Sequence, residues 1–207
     1  MGPAALALYD LNAASLMSRL LWGSRILFDG LPAPLIYTSA GQVTAIVPYG
    51  VAGKSATSMV VEYNGIRSSP VSVNVAASVP GIFTTSNGSG QAAALNQDGV
   101  TVNGAAQAAA AGSVIALFLT GEGAVDAALI DGQLAGAALW KPKQSVTATI
   151  GGVAATVSYA GAAPGNVAGL LQVNVQIPAG TTPGNSVPVQ VTIGGATTPA
   201  GVTIAVR

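Results

Sequence analysis

Alternation of hydrophobic and polar positions is the main pattern along the chain. Segments of four to eight residues, such as 71–75 and 202–206, alternate in this way or are rich in Val, Ile and Thr. Gly, Pro, Asn or Ser bounds each segment, a combination typical of short strands joined by tight turns. Residues 10–21 and the Ala-rich stretch 105–111 are the only helix candidates, and a loop or a short helical turn is the favoured interpretation of both. The pattern predicts an all-β protein.

The same strand pattern occurs twice in the same order, which indicates an internal repeat. Five matching blocks begin at residues 26, 33, 42, 60 and 71 in the first copy and at residues 148, 155, 172, 189 and 202 in the second. The spacing between the copies is longer at the blocks that begin with Gln42 and Gln172 than at the first pair of blocks. The second copy therefore carries an insertion of eight residues around 161–166.

The repeat predicts two tandem immunoglobulin-like β-sandwich domains, residues 1–78 and residues 79–207. The boundary is placed next to Pro80-Gly81, because this dipeptide is typical of linkers. Asp29-Gly30 and Asn64-Gly65 fit hairpin turns, in which glycine adopts a positive φ angle.

The first copy lacks an opening strand. Residues 113–119 open the second copy as an apolar strand, and at the spacing of the first pair of blocks their counterpart falls ahead of Met1. We therefore expect an incomplete first domain in a chain that is the C-terminal part of a longer protein. A missing strand leaves an unpaired sheet edge, which favours association, so we expect a homo-oligomer through that edge. The second domain, in contrast, has an extra N-terminal hairpin at residues 90–103.

The composition excludes several classes of function. The 207 residues include seven Lys and Arg, seven Asp and Glu, and no His or Cys. Serine hydrolases with a His base, thiol enzymes, zinc sites with Cys or His ligands and disulfides are therefore excluded. Zero net charge without a basic cluster argues against nucleic acid as a partner. No apolar run approaches the ~20 residues of a membrane span, and the first residues do not form a signal peptide.

Acidic side chains are the main candidates for chemistry. Four of the seven carboxylates lie close together along the chain, all in predicted turns of the second domain: Asp98, Glu122, Asp126 and Asp131. Three interpretations stay open. The side chains serve their own turns, or they bind Ca²⁺, which is the one cofactor considered. In the third, a pair from Asp98, Glu122 and Asp131 catalyses glycoside hydrolysis.

Trp140 and Lys141 lie in a loop just before a predicted strand, and Tyr159 ends the next strand. These three residues are the candidates for ligand binding. An exposed tryptophan beside tyrosine or lysine can stack on a sugar face or anchor a partner. The alternative interpretation is that Trp140 covers the end of the sandwich.

Several segments together resemble one known family. They are residues 79–84, 94–99, 119–123, 149–152, 159–165 and 169–175. Over essentially its whole length the chain resembles the uncharacterised C-terminal domain family of large secreted proteins of soil acidobacteria. The opening strand of the second copy is also similar to the immunoglobulin-like (TIG-like) domains of plexins and some transcription factors. The family resemblance implies an extracellular or cell-surface location in a multidomain parent protein, and it implies no known activity.

The sequence therefore predicts a non-catalytic extracellular or cell-surface β-sandwich module. Such a module serves in adhesion, binds a polysaccharide or protein surface, or acts as a spacer. The alternative is a glycan-active hydrolase that uses a carboxylate pair from the loops of the second domain. A hydrolase needs two carboxyl groups ~5–9.5 Å apart in an open cleft. In a binding module, the carboxylates are scattered and bonded to turn backbone.

Overall fold

The computed structural model describes residues 2–207 and has an all-β fold. The described residues contain no α-helix, and one 3₁₀ helix spans Tyr49–Val51. Both helix candidates of the sequence analysis form turns, bends and isolated bridges instead. The predicted all-β class is therefore confirmed, and the sheets are consistent with a β-sandwich. The division into two tandem immunoglobulin-like domains, the first without its opening strand, stays a prediction.

The chain divides into two compact units, and the division near Ala77 is close to the predicted domain boundary. The first unit contains the residues up to Ala77, Ala128–Ala138 and Pro164–Gly169, and the second contains Ser78–Ala127, Leu139–Ala163 and Leu170–Arg207. The predicted second domain contains all of residues 79–207, whereas two short segments of that range lie in the first unit. One of them, Pro164–Gly169, overlaps the insertion that distinguishes the second repeat.

The first unit contains eight strands in two antiparallel sheets. They are β1 (Ala7–Leu8), β2 (Ser24–Phe28), β3 (Leu31–Pro32), β4 (Leu35–Thr38), β5 (Val43–Ala45), β6 (Ala56–Tyr63), β7 (Ile66–Arg67) and β8 (Val71–Asn74). One sheet has the order β1-β4-β5, and the other has the order β3-β2-β6-β7 with β8 also paired to β6. Leu21, Phe28 and Leu35 belong to the core that the two sheets share.

Tight turns of the first unit follow the local sequence. Asp29 and Gly30 have φ angles of 50° and 82°, and Asn64 and Gly65 have φ angles of 49° and 81°. Each pair joins two antiparallel strands, so both predicted hairpin turns are confirmed. Trp22 and Gly23 form a further turn with positive φ angles, 46° and 81°, which the sequence analysis did not predict.

The second unit contains ten strands, and eight of them follow one continuous path. The ten strands are β9 (Gly81–Ile82), β10 (Gly90–Gln91), β11 (Ala94–Leu95), β12 (Val114–Thr120), β13 (Val146–Ile150), β14 (Val153–Ala162), β15 (Leu171–Gln176), β16 (Gly184–Ile193), β17 (Ala196–Thr197) and β18 (Val202–Val206). The path is β10-β18-β16-β13-β14-β15-β12-β11, with β17 paired to β16 and β9 paired to β12. Both β14 and β16 change their pairing partner partway along their length.

Alternation along β12 produces the core of the second unit. Ile115, Leu117 and Leu119 have no exposed surface, and they pack with residues of β15 and β18. The predicted hairpin at residues 90–103 is present, because the backbone N–H of Asn96 donates to the carbonyl of Thr101 (2.8 Å). Its first part contains β10, which pairs with β18, and β11, which pairs with β12, so it links the two ends of the strand path.

Gly121 permits a close backbone approach that no other residue type allows. Its φ angle is +78°, and a Cβ there would collide with the carbonyl oxygen of Val79. Gly99 has a similar φ angle of +73° but faces open space.

We expect Gly99→Ala to cost about 1 kcal/mol of unfolding free energy, and Gly121→Ala about 2 kcal/mol more because of the collision. Urea unfolding measures both changes, and equal losses would contradict this packing.

Candidate functional site

A groove with a volume of about 910 Å³ lies on the second unit. Its lining consists of the turn after β11, an alanine-rich segment, the start of β16 and the end of β18. The lining residues are Asn96, Gln97, Asp98, Thr101, Ala105, Ala106, Gln107, Ala108, Ala109, Ala110, Ser113, Pro183, Gly184, Asn185, Val206 and Arg207. Of the predicted site residues, Asp98 alone belongs to this lining.

The alanine-rich segment begins with a turn at Ala105 and Ala106, and its second half pairs with the end of β18. The backbone N–H of Ala109 donates to the carbonyl of Ala205 (3.0 Å), and that of Arg207 donates to the carbonyl of Ala109 (2.8 Å). Ala109 itself is buried, whereas Ala105, Ala106 and Ala110 are exposed. Methyl side chains fill little volume, so this side of the groove is shallow and open.

Side-chain amides are four of the eight polar side chains in the groove lining. Asn96 Nδ2 donates to the carbonyl of Gln107 (2.9 Å), and Gln97 Oε1 accepts from the first backbone N–H of β12 (3.1 Å). The exposed amides of Gln107 and Asn185 make no side-chain hydrogen bond within residues 2–207. These two amides can therefore donate to and accept from a bound molecule.

Asp98 holds the turn beside the groove. Its Oδ1 accepts from the backbone N–H groups of Thr101 (2.9 Å) and Val100 (3.1 Å), and its Oδ2 accepts from the hydroxyl of Thr101. The Thr101 hydroxyl, followed by these backbone donors, lowers the pKa of Asp98 below its usual range. A general acid for glycoside hydrolysis needs a raised pKa. The environment of Asp98 therefore favours a fixed negative charge.

Glu122 and two of the predicted ligand-binding residues meet in the second unit. Trp140 and Glu122 are only 4% and 2% exposed, and Tyr159 is half-buried. Burial raises the pKa of Tyr159, and the negative charge of Glu122 raises it further. The Tyr159 hydroxyl donates to the carbonyl of Ala162 (2.6 Å), whose N–H donates to the carbonyl of Trp140 (2.9 Å).

Burial changes the interpretation of Trp140. A ring must be exposed to stack on a sugar, and the ring of Trp140 is buried in this structure. The ligand-binding role of Trp140 stays a prediction that a binding measurement has to test. Gly161 makes room for this packing, since a Cβ there would lie 2.7 Å from the Tyr159 hydroxyl and 2.8 Å from the Trp140 carbonyl. The surroundings of Trp140 fit the alternative interpretation, in which it is part of the packed sandwich.

Asp126 and Lys141 pair through backbone groups. Asp126 Oδ1 accepts from the N–H of Lys141 (2.8 Å), and the N–H of Asp126 donates to the carbonyl of Lys141 (3.0 Å). Both residues are exposed. The carboxylate of Asp126 thus connects two loops of the second unit.

Asp131 belongs to the first unit, in the segment Ala128–Ala138. Its Oδ1 accepts from the N–H of Tyr49 (2.9 Å) at the start of the 3₁₀ helix. Its carbonyl accepts from Arg19 Nη2 (3.0 Å). An acidic side chain at this end of a helical turn satisfies an N–H group that has no partner in the turn itself. Asp131 therefore acts in the structure of the first unit.

The four acidic candidates do not form one cluster. Among residues 2–207, no group of three or more His, Cys, Asp or Glu side chains could hold a metal ion. Asp98, Asp126 and Asp131 each accept from backbone N–H groups, and Glu122 is buried. The calcium site and the catalytic pair stay predictions that depend on binding and activity measurements.

Sequence reasoning missed the amides of Gln107 and Asn185, because no local pattern distinguishes them from other exposed amides. It also missed the position of Trp22, which is 63% exposed on its turn. A signal for that turn existed in the Trp22-Gly23 dipeptide, since glycine before a strand favours a tight turn. Exposed tryptophans are enriched where proteins bind partners.

Comparison of the chain with protein-family models, with curated proteins and with solved structures finds no match. In the part of the chain that the structure describes, no helix has the length and apolar character needed to cross a membrane.

The two tryptophans differ enough in exposure to be separated by fluorescence. In Trp22→Phe, the remaining Trp140 is expected to emit at short wavelength and to resist quenching by iodide, because it is buried. The matched variant Trp140→Phe leaves Trp22, which should be quenched readily. Strong iodide quenching of the Trp22→Phe protein while it stays folded would contradict the buried position of Trp140.

A measurement of the pKa of Asp98 tests the hydrogen bond between Asp98 and Thr101 in the turn beside the groove. Thr101→Val removes the hydroxyl donor, so we expect the pKa of Asp98 to move up toward its usual range. Thr101→Ser keeps a hydroxyl and serves as the control. Because the folded-state pKa is lowered, the ionised form stabilises the fold above the unfolded-state pKa, and this contribution disappears as the pH falls through the folded value. An NMR pH titration in which Thr101→Val leaves the pKa unchanged would contradict this assignment.

Proposed function

We propose that the chain is a non-catalytic β-sandwich module that binds a neutral polysaccharide through the groove of the second unit. We also propose that it works outside the cell or at the cell surface, in a larger parent protein. The observation that carries the proposal is the groove itself, in which exposed amides stand next to an open alanine-rich segment.

Amide groups match the chemistry of sugars. The amides of Gln107 and Asn185 each offer two N–H donors and one carbonyl acceptor, and sugar hydroxyls both donate and accept. The methyl groups of Ala105, Ala106 and Ala110 provide small apolar contacts for the C–H face of a sugar ring. A volume of about 910 Å³ falls within the range of small-molecule sites, and it suits a few sugar units.

The charges in the groove favour an uncharged ligand. Asp98 supplies one negative side chain, and Arg207, whose Nε donates to the carbonyl of Ala108 (3.0 Å), supplies one positive side chain. The two charges offset each other, so neither a polyanion nor a polycation gains from long-range attraction. A neutral polysaccharide is recognised by hydrogen bonds and apolar contacts and does not need long-range attraction.

The number and bonding of the acidic groups in the groove favour a binding role over a hydrolytic one. Glycoside hydrolysis of the common type uses two carboxyl groups on either side of the scissile bond. The described groove lining has one side-chain carboxylate, Asp98, and its oxygens bond to the adjacent turn. Glu122 and Asp131, the other members of the predicted pair, do not line the groove.

A glycan-array screen tests the proposal, run once with calcium and once with a chelator. We expect binding of one or more neutral glycans, and a loss of about 30-fold in affinity for the double variant Gln107→Ala/Asn185→Ala. This loss corresponds to two hydrogen bonds of about 1 kcal/mol each.

Asn87→Ala is the control, because Asn87 is an exposed amide of the same unit outside the groove lining. No binding in either condition, or equal binding by the double variant, would overturn the assignment of the groove. Loss of binding only with the chelator would support the calcium prediction.

A further inference from the structure

The strand β5 has one open edge. In the described part of the chain it pairs with β4 alone. Its counterpart in the second repeat is β15, because the block that begins with Gln42 matches the block that begins with Gln172. Strand β15 pairs with β14 on one edge and with β12 on the other. The backbone groups that β12 satisfies on β15 therefore have no strand partner on β5.

Apolar side chains near the open edge of β5 are more exposed than their counterparts in the second repeat. Val173 and Val175 of β15 have no exposed surface, whereas the corresponding Val43 and Ala45 of β5 are partly exposed. In the facing sheet, Val202 of β18 is 2% exposed and the corresponding Val71 of β8 is 52% exposed. The same apolar pattern is thus buried in one repeat and accessible in the other.

We propose that the first unit accepts an extended strand from a partner protein, which pairs antiparallel with β5 and covers β8. The occupant has apolar side chains at alternate positions, as β12 has. In the second unit Leu117 lies opposite Val173 and Ile115 lies opposite Val175. The alignment of the two repeats places the equivalent apolar side chains of the occupant opposite Val43 and Ala45.

A second copy of the chain fits this edge less well. Strand β5 has three residues, so pairing two copies through β5 gives a short ladder. Such a pair supplies backbone hydrogen bonds but no apolar side chains to cover Val71. A separate strand of the β12 type brings apolar side chains of its own, as Ile115 and Leu117 do in the core of the second unit, where Val202 also pairs with Gly90 of β10. Addition of a strand at a sheet edge is a known mode of peptide recognition.

The proposal concerns the first unit and is independent of the groove. The probe is a synthetic peptide with the sequence of residues 113–120, flanked by lysines for solubility and added to the full chain. We expect amide hydrogen exchange of Val43 and Ala45, whose N–H groups face the open edge, to slow by on the order of tenfold. A peptide with serine at the positions of Ile115 and Leu117 is the matched control and should have no effect.

A second version of the test avoids any aggregation of the free peptide. The same sequence is joined through a flexible linker ahead of Gly2, which lies next to Ser39 and Ala40 near the start of β5. Slower exchange at β5 with both the free and the joined strand supports the proposal. Slower exchange with the joined strand alone would overturn the assignment to a partner protein, and no change with either would overturn the strand site itself.

A surface variant separates a specific strand site from general stickiness. Val71→Lys places a charge where the occupant packs, and we expect it to abolish the peptide effect on exchange at β5. Val153→Lys is the control, because Val153 is 55% exposed in the second unit and should leave the effect intact. Equal peptide effects in both variants would overturn the proposed position. Concentration-dependent dimers with β5 already protected would assign the edge to a second copy instead.

Discussion

Backbone N–H and C=O groups along a strand edge need partners, and this requirement organises both units. In the second unit, β12 covers the edge of β15, and residues 90–95 cover β12 and β18. In the first unit, β5 and β8 each pair with one neighbour within the described residues. The exposure of Val71, compared with the burial of Val202, follows from this difference in strand pairing.

Carboxylates in this chain act mainly on the backbone. Asp98 holds its own turn, Asp126 connects two loops, and Asp131 binds the first N–H of the 3₁₀ helix. Loops without regular pairing leave N–H groups exposed to competition from water, and a carboxylate is a strong acceptor for them. Asp29 accepts from the N–H of Ser58 in the same way, so four of the seven acidic residues bond to backbone. Both proposed surfaces therefore depend on amides, methyl groups and backbone edges.

Local signals made much of the fold predictable. The alternation along β12 and the turn at Asn64-Gly65 depend on neighbouring residues, and the structure has both. The candidate site was harder to predict because its contacts are long-range. Asp131 binds Tyr49, 82 positions earlier, and the burial of Trp140 depends on packing near Gly161. No periodic pattern contains such contacts, so sequence reasoning grouped acidic residues that the fold separates.

Low charge sets the kind of recognition that both proposed surfaces can perform. Seven positive and seven negative side chains give a formal net charge of zero, so electrostatic steering adds little to association rates. Hydrogen bonds to sugar hydroxyls or to a strand edge are short-range and directional, and salt screens them weakly. Specificity then comes from register and spacing. At β5 a slip of one residue turns every apolar side chain of an added strand away from Val43 and Ala45, so the alternating pattern itself selects the partner.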